Sequence, residues 1–331
     1  MARVISRSTF LKLLALAPLQ VMSRSARAAQ TFSLYTPNPN QNTPAKDLQA
    51  TAEKIDKDTD GNVKIRVLLG GSLQIQASDI SMAVSQGIIE FGDDQLYGGL
   101  VPIGGVTRLP ALLRNYSEYE AAARIIEPNV QAAYKKLNVS LLATFNFPRV
   151  IFFSRAKLTS LSDLNGLKIR TYSPEGSEAV KRFGAVPVTM ALPQIAPALE
   201  RGIIDGLIAS APAAYVYRDL VKYIYVLPVI VAANDFVIVN NASLEKLDSS
   251  QQEIVRRTFK DVMSGTSKRM ADEELDLIQK MKGAGITVTE PTTEDRTQFE
   301  SRLSPYWDDW AREKGPEAVE VLKAIRTAIG R

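Results

Sequence analysis

The chain has 331 residues, which at roughly 150 residues per domain suggests two domains or one large one. Apolar residues make up 45% and charged residues 23%, the proportions of an ordinary globular chain with material for a core. There is no cysteine and no histidine, which excludes disulfides, a cysteine lipid anchor and cysteine-ligated zinc, and deprives a serine nucleophile of its commonest base.

Residues 1–28 differ from the rest. Arg3, Arg7 and Lys12 precede an apolar stretch from Leu13 to Met22, and Ala26-Arg27-Ala28 places small residues where a signal peptidase reads. This is the layout of a secretory signal peptide, and the apolar stretch is too short for the ~20 residues of a membrane span. Ser6-Arg7-Ser8-Thr9-Phe10-Leu11-Lys12 resembles a twin-arginine export signal with Ser8 in place of the second arginine, so the export route stays open. The segment holds five basic residues and no acid, so its removal lowers the formal charge from +4 to −1. No basic cluster suited to nucleic acid remains.

The mature region reads as alternating strands and helices. Thr31–Tyr35 is a strand, Thr43 caps a helix with Pro44 at its first position, and Asp60-Gly61 ends that helix. Val63, Ile65, Val67 and Leu69 alternate with polar residues as a strand. A helix around Ile80–Val84 and a short strand over Ile88–Phe91 follow, which argues for a largely parallel α/β sheet. The pattern resumes with strands at Val139–Phe145, Leu167–Thr171, Val186–Met190, Asp205–Ala209 and Phe236–Asn240, and with helices at Pro174–Phe183 and Pro193–Arg201. Ser249–Lys282 reads as one long helix whose buried stripe is Val255, Phe259, Val262, Met270, Leu275, Ile278 and Met281. Ile286–Val288 is a strand, and the helices Glu294–Trp310 and Pro316–Ile329 complete the pattern. Trp307 and Trp310 share a helical face and are expected to pack against a lobe.

Residues 161–206 carry the functional signal. Asp163-Leu164-Asn165-Gly166-Leu167-Lys168-Ile169-Arg170 is followed by Gly184-Ala185-Val186-Pro187-Val188-Thr189-Met190, and then by Leu199-Glu200-Arg201-Gly202-Ile203-Ile204-Asp205-Gly206. In order and spacing these pieces resemble the solute-binding subunits of tripartite ATP-independent periplasmic (TRAP) transporters, the DctP-like family. Gly61–Leu73 and Leu109–Tyr119 extend the resemblance over nearly the whole mature region. The resemblance implies a two-lobed α/β periplasmic-binding-protein fold, with a cleft between the lobes and a long helix spanning the hinge. The expected division is residues 1–28 as signal peptide, 29–147 with about 235–270 as the first lobe, and 148–234 with about 271–331 as the second.

The resemblance also implies that Arg170 pairs with the ligand's carboxylate. The chemistry agrees: a planar guanidinium matches a carboxylate in two parallel hydrogen bonds, at a strand end where α/β sheets place ligands. Many relatives carry a second arginine one strand earlier. Here Arg149 stands one position out of register, which turns a strand residue to the other face. Ala209, with Ser210 beside it, stands where some relatives place a ligand-binding Asn. Phe145, Leu192, Tyr215 and Asn234 occupy stretches that line family pockets, and Asn38, Gln74 and Gln95 lie in loops expected to face the cleft.

The expected function is capture of a small organic acid with one dominant carboxylate and a partly apolar body, in the periplasm, by lobe closure. The protein would act as a monomer, without cofactor or metal, and deliver to the small and large TRAP membrane subunits. A dicarboxylate or sugar acid, or an ABC-type importer, are the alternatives. Catalysis has little support: Asp93-Asp94 and Asp308-Asp309 are merely adjacent pairs, neighbours in sequence point apart on a strand, and no phosphate-cradling glycine loop is present. N-terminal sequencing of the exported protein is expected to begin near Ala29, and an intact Met1 would refute the signal peptide.

Overall fold

The computed structural model describes residues 29–70, 72–190 and 194–331. The signal-peptide segment and Leu192 therefore lie outside the described residues. In chain order the elements are β1 (Gln30–Tyr35), α1 (Thr43–Asp58), β2 (Val63–Leu68), α2 (Ile80–Ser85), β3 (Phe91–Asp94), α3 (Tyr116–Lys136), β4 (Val139–Phe147) and β5 (Val150–Ser154). They continue with β6 (Lys168–Thr171), α4 (Pro174–Lys181), β7 (Val186–Thr189), α5 (Ile195–Glu200), β8 (Gly206–Ala209), α6 (Ala211–Ala214), β9 (Tyr223–Ile230) and β10 (Ala233–Asn240). Last come α7 (Asn241–Leu244), α8 (Ser249–Gly283), β11 (Thr287–Thr289), α9 (Thr293–Lys314) and α10 (Pro316–Ala328).

These elements build two α/β lobes, each on its own sheet. The first sheet runs β2-β1-β3-β10-β4, and the second runs β11-β9-β5-β8-β6-β7. In the first, β1 pairs in parallel with β2 and β3, while β10 returns antiparallel between β3 and β4. In the second, β6 is parallel to both β7 and β8, and β5 is antiparallel to β8 and β9. Strand β10 lies inside the first sheet, between β3 and β4, and all its residues are buried, as a strand covered on both faces requires.

The boundaries correct several expectations. The N-cap of α1 is Asn42, not Thr43, whose hydroxyl instead donates to Glu273 of α8 at 3.0 Å. The short strand begins at Phe91 rather than Ile88, because Ile88 lies beyond the pairing and is exposed. Helix α3 occupies a stretch for which no element was expected. Its start is capped by the Asn115 side chain, and Pro128 lies within it. Along α8 the buried positions are Val255, Thr258, Phe259, Met263, Thr266, Met270, Glu274, Leu277, Ile278 and Met281, a regular helical stripe. Leu275 falls off that face and is exposed.

Two helices bridge the lobes. The stretch of α8 up to Met270 packs in the first lobe with Leu48, Phe91 and Phe145, whereas Leu277, Ile278 and Met281 join the second lobe with Phe153 and Leu207. Helix α9 crosses in the opposite sense: Phe299 and Leu303 sit in the second lobe beside Phe183, and Trp307 and Trp310 sit in the first with α3 and α10. The stretch 271–331, expected on the second lobe, is thus shared between the two. Both tryptophans pack as expected. Trp307 is 2% exposed and its indole N–H donates to the Pro110 carbonyl at 2.8 Å.

Truncating such a ring removes its packing and leaves the Pro110 carbonyl without its donor. Trp307→Ala is expected to cost about 3–5 kcal/mol of stability in urea unfolding, and a loss under about 1 kcal/mol would show that the site is loosely packed.

Candidate functional site

Arg170 is placed by the parallel pairing of β6 between its neighbours. Its backbone lies opposite Val188 of β7 and Leu207 of β8, at the carboxyl end of the strands. The side chain is 5% exposed, and its Nε donates to the Met190 carbonyl at 3.1 Å. The guanidinium carbon lies 5.5 Å from the centre of the Tyr172 ring. Burial holds its pKa below the ordinary arginine value, and the groups that act against this are the phenols of Tyr172 and Tyr217. Among the described residues no carboxylate lies within ion-pair distance of Arg170. A carboxylate presents two oxygens that match the donors of such a guanidinium.

Arg149 has a different environment. It stands in the crossover from β4 to β5, and its Nε lies 3.2 Å and 3.4 Å from the two carboxylate oxygens of Glu274. Glu274 is buried on α8, between Met270 of the first core and Leu277 of the second. The pair therefore ties one crossing between the lobes to another, and Arg149 already has its counter-ion.

The wall of the first lobe is a network of buried polar groups. Asp93 Oδ2 accepts from the Thr36 hydroxyl at 2.7 Å, the Asn38 amide at 3.0 Å and the Gln95 amide at 3.3 Å. Asn38 and Gln95 are thereby held at the strand ends. Asn234 is fully buried: its side-chain oxygen accepts from Arg108 Nε at 3.1 Å and from the Tyr97 hydroxyl at 2.5 Å. Arg108 Nη2 lies 3.0 Å from Asp235 Oδ1. The segment Pro102–Arg108 lies close over Tyr97 because Gly104 has no side chain, and a Cβ there would come within 2.6 Å of the ring.

The remaining candidates have other tasks. Phe145 is fully buried in the first core, with its ring centre 5.9 Å from that of Phe147. Ala209 lies in the second core, and Ser210 is the buried N-cap position of α6. Tyr215 packs under Arg218 at 4.6 Å, and the phenol from this segment that acts on Arg170 is Tyr217. Gln74 is exposed in the loop after β2.

Sequence reasoning missed Arg108, Tyr97, Tyr172 and Tyr217. Arg108 had a legible signal. It is the single charged residue from Gln95 to Leu113, in a run of apolar residues and glycines, and a charge in such a run needs a buried partner. Tyr172 and Tyr217 had none, since aromatic residues in α/β chains mostly pack.

Burial raises the carboxyl groups of Asp93 to about 6 and Asp94 to about 7. Asp94 keeps Oδ1 buried without a partner, while Oδ2 accepts from Ser81 and, at 2.9 Å, from Tyr134. The folded chain therefore holds these protons more tightly than the unfolded one, whose aspartates titrate near 3.8. Their contribution to stability is complete below that value and is lost as pH rises through about 7. Melting temperatures measured between pH 4 and 8 are expected to fall across this window, and Asp94→Asn is expected to flatten the fall. An unchanged slope in that variant would refute the assignment to Asp94.

Comparison with known proteins places this geometry. The model of the family DctP, "Bacterial extracellular solute-binding protein, family 7", matches residues 35–314. The 2,3-diketo-L-gulonate-binding periplasmic protein YiaO of Escherichia coli is 26% identical over 94% of this chain and 95% of its own length. Among solved structures, DctP7 of Bordetella pertussis, an extracytoplasmic solute receptor binding pyroglutamic acid, superposes with a TM-score of 0.83 at 20% identity, covering 90% of this chain and all of its own. A TRAP periplasmic solute-binding protein from Ralstonia eutropha with bound (S)-2-acetolactate gives a TM-score of 0.82 at 22% identity, covering 91% and 99%.

Proposed function

Since the chain belongs to the DctP family, family 7 of the bacterial extracellular solute-binding proteins, we propose that it captures a small organic acid outside the cytoplasm and delivers it to the membrane subunits of a TRAP transporter. The observation that carries this reading is Arg170: a guanidinium 5% exposed, at a strand end, with no carboxylate partner among the described residues. A ligand carboxylate supplies the missing counter-charge.

The ligand has one dominant carboxylate and a partly apolar body. Two features support this. Arg149 is paired with Glu274 and Arg108 with Asp235, so neither offers a free charge to a second carboxylate. A second buried carboxylate without a counter-ion costs several kcal/mol. The compounds bound by the relatives above, pyroglutamate, 2-acetolactate and 2,3-diketogulonate, also carry one carboxylate each. A sugar acid is the second reading, favoured by the likeness to YiaO over nearly the full chain.

Capture proceeds by closure of the lobes about the crossings in α8 and α9. Closure excludes water from the Arg170 pocket and strengthens the ion pair formed there. Release follows reopening against the membrane subunits.

A thermal-shift screen of organic acids identifies the ligand, because binding to the folded form alone raises apparent stability. With that ligand, Arg170→Ala is expected to cost about 2–5 kcal/mol of binding in titration calorimetry, on the order of thirty- to several-thousand-fold in Kd. Arg149→Ala is expected to lower the melting temperature, by stranding Glu274, more than it lowers affinity. Equal large losses of affinity in both variants would establish two anchors and a dicarboxylate ligand, and no loss for Arg170→Ala would refute the site.

A further inference from the structure

The turn that follows Arg170 is short and fixed from both sides. Strand β6 ends at Thr171, and Ser173 is already the N-cap of α4, its hydroxyl accepting from the Gly176 N–H at 3.2 Å. The hydroxyls of Thr171 and Ser177 share a hydrogen bond of 2.7 Å, and Ser177 also donates to the Ser173 carbonyl at 3.0 Å. Helix α4 lies close on the sheet at Gly176, where a Cβ would come within 2.7 Å of the Ile208 side chain. Tyr172 is the one residue between the strand end and the cap. Its backbone has little freedom, and its ring packs against the apolar cluster that contains Ile169, Val180 and Phe183.

The Arg170 guanidinium lies over that ring, its central carbon 5.5 Å from the ring centre. A cation within about 6 Å of an aromatic face is attracted to it. A second constraint comes from β7, because Arg170 Nε donates to the Met190 carbonyl just beyond that strand, at 3.1 Å. A guanidinium can meet a carboxylate through Nε and one Nη, or through its two Nη atoms. The Met190 carbonyl occupies the first edge. Among the described residues neither Nη atom makes a hydrogen bond, so the second edge is the one left to an incoming acid.

Resting on the reading of Arg170 as the ligand anchor, we propose that Tyr172 is the positioning residue of that anchor: its ring and the Met190 carbonyl together hold the guanidinium so that its Nη edge faces one ligand carboxylate. Tyr172 acts through Arg170 and needs no contact of its own with the acid. The ring supplies the platform, and the phenolic hydroxyl is dispensable for it. Without the ring, the long arginine side chain regains rotamers that binding must then remove, and affinity falls by that ordering cost.

The test is a double-mutant cycle with pyroglutamate and 2-oxopentanoate as probes, each carrying one carboxylate. Tyr172→Phe, which keeps the ring, is expected to stay within about twofold of the wild-type Kd. Tyr172→Leu is expected to bind about tenfold more weakly. In an Arg170→Ala background, Tyr172→Leu is expected to cause no further loss, because the group it positions is gone. Additive losses would overturn the proposal and make Tyr172 an independent wall of the cleft, and equal losses in Tyr172→Phe and Tyr172→Leu would assign the effect to the phenol instead. Melting curves confirm folding, and Tyr172→Met, closer in volume, replaces Tyr172→Leu in the cycle if that variant does not fold. A second arm needs no ligand. In protein labelled with 15N-arginine, the Arg170 Nε–H signal, identified by its loss in Arg170→Lys, is expected to carry a ring-current shift in the wild type and in Tyr172→Phe. In Tyr172→Leu that shift is expected to vanish and exchange with water to quicken. An unmoved signal would overturn the positioning role whether or not either probe binds. Undiminished binding of the probes by Arg170→Ala would refute the anchor itself, a failure that the ligand-free spectra keep separate.

Discussion

A guanidinium held out of water with no carboxylate beside it is an expensive arrangement, and Arg170 is in that position. Removing a charge from water costs several kcal/mol unless a partner restores the lost interactions. The chain supplies part of the compensation through the Met190 carbonyl and the Tyr172 ring. No carboxylate among the described residues supplies the rest. The surrounding sheet holds that side chain in place, because β6 is fixed between β7 and β8.

The other two arginines of the region show what a satisfied one looks like. Arg149 meets Glu274 where α8 passes from one core to the next, and Arg108 meets Asp235 where β10 enters the first sheet. Both pairs sit at points where the chain crosses between lobes. Removing one member of such a pair strands the other in a poorly solvated place, which is far costlier than losing an exposed ion pair. Of these three arginines, Arg170 is the one without a carboxylate partner among the described residues.

The two lobes are linked through the bridging helices. In α8 the buried stripe is unbroken in phase, yet its partners change from Phe91 and Phe145 to Phe153 and Leu207. In α9 the change falls between Leu303 and Trp307. Each half of these helices is thus fixed by apolar packing to a different lobe. The polar network of Asp93, Asp94 and Asn234 keeps the strand ends of the first lobe in place on one side of the cleft.

How much of this was legible beforehand follows from how local each signal is. The strand-forming alternation of Val63–Leu68, the glycine stops and the stripe of α8 depend on neighbours in sequence, and they placed most elements within a few residues. The motif from Asp163 to Gly206 likewise singled out Arg170, because a strand followed by a close turn fixes where its last side chains point. Helix α3 escaped notice because Pro128 and the proline-rich approach to it obscured its period. The partners of Arg149 and Arg108 lie 125 and 127 residues away, and no local pattern encodes a contact at that separation. The sequence alone determined the fold class and the family, and it singled out Arg170 as a candidate. Only the tertiary structure decided which arginines are already neutralised, because that depends on where the chain brings Glu274 and Asp235 after two separate crossings between the lobes.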